Sequence, residues 1–112
     1  RELGVRIYGF RTVPEEFSEG QGVKFGMRLI NNEEEVIRDL WVIIIRDGRE
    51  ICRLGPVACE RRPGYRDMDI GSAPTVPVYH GTYQVEVRSG ERVLRSEFRT
   101  ETITHYRFPQ TR

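Results

Sequence analysis

The feature that most constrains the fold of this chain is an alternation of apolar and polar residues with a period of two. In the segment Val23–Leu29 every second residue is apolar. Successive side chains of a β-strand point to opposite faces, so this spacing predicts a strand with one buried face. We therefore expect Phe25 and Met27 to lie in the core while Lys24 and Arg28 face water.

Similar short segments recur along the chain, separated by glycine, proline, asparagine or acidic residues. They are Leu3–Ile7, Val23–Leu29, Leu40–Ile45, Glu50–Leu54, Tyr65–Ile70, Thr82–Val87 and Val93–Phe98. About seven short strands with frequent turns and no helical periodicity predict an all-β fold, an antiparallel sandwich. We expect one domain over residues 1–104 and a tail or linker over residues 105–112.

Two turns and two cysteines add local predictions. Asp47-Gly48 and Ser89-Gly90 are typical of tight β-hairpins. If Gly55-Pro56 also turns the chain, Cys52 faces Cys59 across a hairpin, close enough for a disulfide. Such a bond would indicate an oxidising compartment, whereas the alternative is a pair of unrelated, reduced thiols.

Two further features sharpen the expected fold. Trp41, the single tryptophan, falls on the third long strand, and residues 79–85 (Tyr-His-Gly-Thr-Tyr-Gln-Val) lead into the penultimate one. In both features the chain resembles the immunoglobulin-like superfamily, over a region from Val23 to about Thr100.

That resemblance implies roles for several core residues. Trp41 would be the core tryptophan of the sandwich, and Tyr83 the tyrosine that closes a corner. Val85 would stand where antibody domains have their second cysteine, and Phe25 or Met27 where they have the first. Because that inter-sheet disulfide is missing, the chain is more similar to bacterial or archaeal surface modules and to fibronectin-like domains.

The composition argues against nucleic acid and membrane as partners. The chain has 18 basic and 17 acidic residues among 112, a net charge of +1, so no overall field attracts polyanions. The arginines are interleaved with acids, which is typical of a solvated face. The longest apolar run, Leu40–Ile45, is far shorter than the roughly 20 residues that a membrane helix needs.

No motif indicates catalysis, a cofactor or a metal. None of the serines or cysteines has a histidine beside it, and no glycine-rich loop opens a helix. His80 and His105 lie far apart without ligands at metal spacing, and His80 is expected in a turn. Asp67 and Asp69 would share a strand face, but a calcium site needs about six or more oxygen ligands. We therefore expect a protein that is not an enzyme.

Three functions remain as hypotheses. The first is a non-catalytic protein-interaction or spacer module of a larger secreted or surface protein, located outside the cell, on its surface or in the periplasm. Its contacts would lie around Trp41 or in the loop 60–77. The second is a carbohydrate-binding sandwich whose exposed tyrosines stack on sugars. The third is an assembly subunit that self-associates through Leu40–Ile45.

The residues expected to contact a ligand are aromatic or cationic and lie mostly in or beside the loop 60–77. They are Tyr65, Tyr79, Arg61, Arg62 and Arg66, with Tyr106 as a further candidate for sugar stacking. A sugar site needs at least two aromatics that are coplanar and solvent-exposed on one surface, whereas a protein site needs a contiguous apolar patch or a free strand edge.

Overall fold

The chain is described by a computed structural model that covers residues 2–68 and 70–100, and it forms two antiparallel β-sheets packed face to face. The strands are β1 (Val5–Val13), β2 (Gln21–Asn31), β3 (Ile37–Arg46), β4 (Arg49–Cys59), β5 (Gly64–Met68), β6 (Val76–Val78), β7 (Gly81–Ser89) and β8 (Arg92–Thr100). A 3₁₀ turn covers Ile70–Ser72. The predicted all-β sandwich is confirmed.

The first sheet has the order β1-β2-β5, and β6 also pairs with β2. The long strand β2 accommodates both partners because β6 pairs with its first residues and β5 with its last five. The second sheet has the order β4-β3-β7-β8. Each inner strand thus has neighbours on both sides, and β4 and β8 form the edges of the second sheet.

The core lies between the sheets and follows the alternation of the sequence. On β2, every second residue from Val23 to Leu29 is at most 1% exposed, so the predictions for Phe25 and Met27 are confirmed. The second sheet contributes alternate residues of β3 and β7. Tyr83 and Val85 are fully buried, as the resemblance implied.

Trp41 is the exception, and its prediction as a core residue is wrong. The residues of β3 that belong to the core are Ile37, Leu40, Val42 and Ile44. The pairing of β3 shifts register on both sides of Leu40, and Asp39 has a φ of 54°. Alternation after this bulge turns Leu40 inward and Trp41 outward, where its indole is half-buried beneath the guanidinium of Arg53 at 5.4 Å.

The predicted hairpin at Gly55-Pro56 is also wrong. β4 runs without a turn from Arg49 to Cys59, because the extra residue is absorbed as a bulge against β3. Gly55 makes this possible, since its φ is 128° and a Cβ there would lie 2.6 Å from the carbonyl oxygen of Leu40. Cys52 and Cys59 therefore lie on one strand about 20 Å apart, both as free thiols, and the predicted bridge does not form.

The two other predicted hairpins are present in the structure. Asp47 and Gly48 both have positive φ and connect β3 to β4, as a tight hairpin requires. The last hairpin turns one residue later than predicted, at Gly90-Glu91, because Ser89 still pairs with Arg92. The predicted tail 105–112 and Asp69 lie outside the described residues. No helix among the described residues is long and apolar enough to cross a membrane.

Candidate functional site

The outer surface of the first sheet carries an unusual combination of aromatic and charged side chains. Because alternate residues of β2 are buried in the core, those between them point outward, and their pairing partners on β1 and β5 share that face. We call this surface the tyrosine face, and it consists of Arg6, Tyr8, Arg11, Val13, Lys24, Gly26, Arg28, Ile30, Tyr65 and Asp67.

The strand register fixes how these residues are arranged. Tyr8, Arg28 and Asp67 form one row across the three strands, and Arg6, Ile30 and Tyr65 form the next. The two tyrosines therefore stand on opposite outer strands and are offset by two residues. Strand spacing and rise per residue place their Cα atoms about 12 Å apart.

Both tyrosines are open to solvent. Tyr8 and Tyr65 are each 59% exposed, and only Val13 and Tyr79 join them among the exposed large hydrophobic residues of the described chain. The two rings lie on the same side of the sheet, so a ligand lying across β2 can contact both together. The tyrosine face thus carries two solvent-exposed aromatic rings on one surface.

Between the tyrosines lies an ion pair with two hydrogen bonds. Arg28 donates from Nε to Asp67 Oδ1 at 2.7 Å and from an Nη to Oδ2 at 3.3 Å. These bonds hold the pKa of Asp67 below its usual value and raise the pKa of Arg28. The Arg28 guanidinium carbon also lies 5.6 Å from the centroid of the Tyr65 ring. The pair offers both hydrogen-bond donors and acceptors to a bound molecule.

The outer surface of the second sheet differs, because its apolar stripe is covered. Ile43 follows Trp41 on this face of β3 and is only 5% exposed. On β7 and β8, Glu86 accepts hydrogen bonds from Arg88 at 2.8 Å and from Arg95 at 3.0 Å. The strand segment Leu40–Ile45 lies at the centre of its sheet and is therefore shielded by its own sheet neighbours and by arginine side chains.

The predicted ligand residues do not converge. Tyr65 lies on the tyrosine face, but Arg61 and Arg62 lie in the connection between β4 and β5, where Arg62 forms an ion pair with Glu34. Arg66 lines a groove of about 330 Å³ between the β4 and β5 edges of the sandwich. Tyr8, which completes the site, was missed because the first predicted strand ended at Ile7.

Tyr79 has a structural setting at the corner between β6 and β7. Its backbone N–H donates to the Tyr83 hydroxyl at 2.9 Å, and that hydroxyl donates to the Tyr79 carbonyl at 2.8 Å. Arg46 donates to the same carbonyl at 2.9 Å, and its guanidinium lies 5.1 Å from the Tyr83 ring centroid. The corner tyrosine that the resemblance implied is thus formed.

His80 lies in the turn where it was predicted, and it contacts the loop between β1 and β2. Its ring stacks on Phe17 with centroids 4.3 Å apart, and its backbone N–H donates to Glu19 Oε1 at 2.6 Å. That hydrogen bond holds the pKa of Glu19 below its usual value. These contacts join two loops rather than form an open pocket.

The described residues contain no cluster of metal-ligating side chains. Within residues 2–68 and 70–100, no three or more His, Cys, Asp or Glu side chains are grouped so that they could hold a metal ion. Burial raises the pKa of Cys52 and of Cys59, which disfavours the thiolate that a nucleophile needs. The tyrosine face is therefore the strongest candidate site.

The chain matches no known protein family, and neither a curated protein nor a solved structure shows significant similarity to it.

Proposed function

We propose that this chain is a non-catalytic binding module that holds carbohydrate on the tyrosine face. The observation that carries the proposal is that Tyr8 and Tyr65, each 59% exposed, lie on the same outer face of one sheet, on the two strands that flank β2. Tyrosine rings present an apolar face on which the C–H groups of a sugar ring can pack, while the hydroxyl remains exposed to solvent.

The residues between the rings support the same ligand class. The guanidinium of Arg28 has N–H groups beyond those it gives to Asp67, and Asp67 keeps free lone pairs. Sugar hydroxyls both donate and accept, so an adjacent guanidinium and carboxylate match them. Because strand register and the ion pair fix these groups, little side-chain freedom has to be lost on binding.

A protein partner on the same face is the second candidate function. Tyrosine and arginine are enriched where protein interfaces gain most of their binding energy, and Ile30 adds a half-buried apolar centre between Arg6 and Tyr65. Against it, the exposed large hydrophobic residues of the described chain are only Tyr8, Val13, Tyr65 and Tyr79, and the indole of Trp41 is half-buried beneath Arg53. The edge strand β4 offers a protein partner another mode of contact, by strand addition. Self-association through Leu40–Ile45 has still less support, since that strand is central.

We also propose that the chain belongs to the immunoglobulin-like superfamily. Pairing of the third strand with the fourth and the seventh, together with the corner formed by Tyr79 and Tyr83, supports membership of the immunoglobulin-like superfamily. Many cell-surface domains share this sandwich architecture, and we propose that this chain comes from a secreted or surface protein.

Affinity electrophoresis tests the carbohydrate proposal directly. The chain is run through native gels that contain one of several neutral or charged polysaccharides, beside the variants Tyr8→Ala/Tyr65→Ala and Tyr79→Ala. Tyr79 is the matched control because its exposed ring lies away from the tyrosine face, and the structural hydrogen bonds of that residue come from its backbone. Thermal unfolding of each variant shows that the fold is kept.

Retardation by at least one polysaccharide, lost in the double variant and kept in Tyr79→Ala, is the expected result. If no polysaccharide retards the chain in a way that depends on Tyr8 and Tyr65, the carbohydrate proposal is wrong. A protein whose binding is lost in the same double variant would then identify the second candidate as the function.

A further inference from the structure

The tyrosine face has a marked excess of positive charge. Among the residues that the structure describes, its cationic members are Arg6, Arg11, Lys24 and Arg28 and its acidic member is Asp67, an excess of three positive charges. The whole chain has a net charge of only +1. The remaining surface is therefore negative on balance, and the positive charge is concentrated where the exposed tyrosines lie.

The excess is not neutralised inside the molecule. Asp67 already binds Arg28, and Arg11 is close enough to lower the pKa of Asp67 further. Among the described residues, neither Arg6 nor Arg11 has an acidic partner within ion-pair distance, and Arg11 donates only to the carbonyl of Gly9. These two guanidinium groups are available to an incoming anion.

On the second sheet of the same protein, arginines are paired with nearby acidic residues. Arg53 donates two hydrogen bonds to Glu50, at 2.9 and 2.7 Å. Arg88 and Arg95 share the carboxylate of Glu86. Arginines are thus frequent on both faces, but on the tyrosine face the described basic residues, Lys24 included, outnumber the acidic ones by three.

We propose that the ligand of the tyrosine face is an anionic polysaccharide, one that carries carboxylate or sulfate groups along its chain. This inference rests on the proposed function and adds the charge of the ligand to it. Guanidinium groups bind carboxylates and oxyanions through paired N–H donors, and an exposed cationic surface attracts a polyanion from a distance of about 10 Å at moderate salt. The sugar rings pack on Tyr8 and Tyr65 while the anionic groups meet Arg6 and Arg11.

The test compares charged polysaccharides with neutral counterparts of the same backbone. The probes are polygalacturonate against its methyl ester and dextran sulfate against dextran, measured by affinity electrophoresis and by calorimetry. We expect at least one charged probe to bind ten times more tightly than its neutral counterpart. Raising the salt from about 0.05 M to about 0.5 M should weaken that binding, because screening shortens the range of the attraction.

Variants separate the role of charge from that of the rings. Arg6→Glu/Arg11→Glu reverses two charges on the tyrosine face, and Arg38→Glu/Arg49→Glu reverses two on exposed residues of the second sheet. The first variant should lose at least tenfold in affinity for the charged probe, and the second should bind like the parent. Preference for polygalacturonate or for dextran sulfate identifies the anionic group as carboxylate or sulfate.

Three results would overturn the inference in different ways. Equal binding of a neutral counterpart, lost in Tyr8→Ala/Tyr65→Ala, leaves the carbohydrate function intact and refutes the charge requirement. Binding of poly-L-glutamate as tight as that of either polysaccharide, unaffected by the tyrosine variant, assigns the face to an acidic polypeptide. Absence of tyrosine-dependent binding to every polysaccharide refutes both the proposed function and this inference.

Discussion

The hydroxyl of Tyr83 and the backbone of Tyr79 exchange two hydrogen bonds, at 2.8 and 2.9 Å, across the corner that leads into β7. Tyr83 is completely buried, so this hydroxyl has no access to water. The corner is therefore held by a polar contact placed at the edge of an apolar core.

The variant Tyr83→Phe should lower the free energy of unfolding by about 1–3 kcal/mol, because the N–H of Tyr79 then loses its partner in a partly buried setting. Urea unfolding measures the change. Tyr65→Phe removes the same oxygen from an exposed ring and should alter stability by less than about 0.5 kcal/mol. Equal effects in the two variants would contradict the structural role of the corner.

Asn31 gives a second stability prediction. Its side chain is fully buried, donates to the carbonyls of Glu35 and Glu60 at 2.9 and 3.0 Å, and accepts from the N–H of Glu33 at 2.7 Å. Asn31→Ala should cost about 2–3 kcal/mol, since these backbone groups lose their partner. The exposed neighbour provides the control, and Asn32→Ala should be nearly neutral in the same denaturant titration.

The ion-pair cluster on the second sheet predicts a loss of stability in acid. Hydrogen bonds from Arg88 and then Arg95 hold the pKa of Glu86 below its usual value. A carboxylate with a pKa lowered by folding stabilises the protein above its unfolded pKa of about 4.3, and this contribution is lost as the pH falls through the folded pKa.

Glu86→Gln should therefore flatten the decline of stability below about pH 4.3, relative to the parent. Glu97→Gln, an exposed glutamate on neighbouring β8 without a described ion pair, should leave the decline unchanged. Unfolding temperatures recorded between about pH 2 and 7 make the comparison. If Glu86→Gln shows the same decline of the unfolding temperature at low pH as the parent, groups other than Glu86 cause that decline.

The two cysteines should behave as protected thiols. Cys52 and Cys59 are 6% and 1% exposed, and burial raises the pKa of each. Iodoacetamide should modify neither in the native protein and both in denaturant without reductant, as mass spectrometry can count. Two thiols that react in denaturant only after reduction would instead reveal a disulfide between them.

The strands that have one buried face and one solvent-exposed face were predictable from the sequence. Val23–Leu29 is the clearest case, because burial alone explains its alternation. Tight turns were also predictable, since Asp47 and Gly48 both adopt the positive φ that such hairpins need. These features depend on residues that are close in sequence.

The errors arose where partners on other strands decide the outcome. The bulge before Trp41 depends on the pairing of β3 with β4, and no property of the tryptophan itself shows which way it will point. Gly55-Pro56 has the composition of a turn, yet Gly55 serves a close approach of β4 to Leu40. Tyr8 joined the candidate site only when register placed it beside Arg28.

The position of β3 in the sheet also bears on how this protein resists aggregation. Leu40–Ile45 is the most hydrophobic segment of the chain and has the composition of segments that stack into cross-β fibrils. One of its two neighbours is the edge strand β4, whose bulge at Gly55 and proline at position 56 interrupt regular pairing. Detachment of β4 would expose β3 as a new sheet edge, so the pairing of β4 protects the chain from self-templated growth.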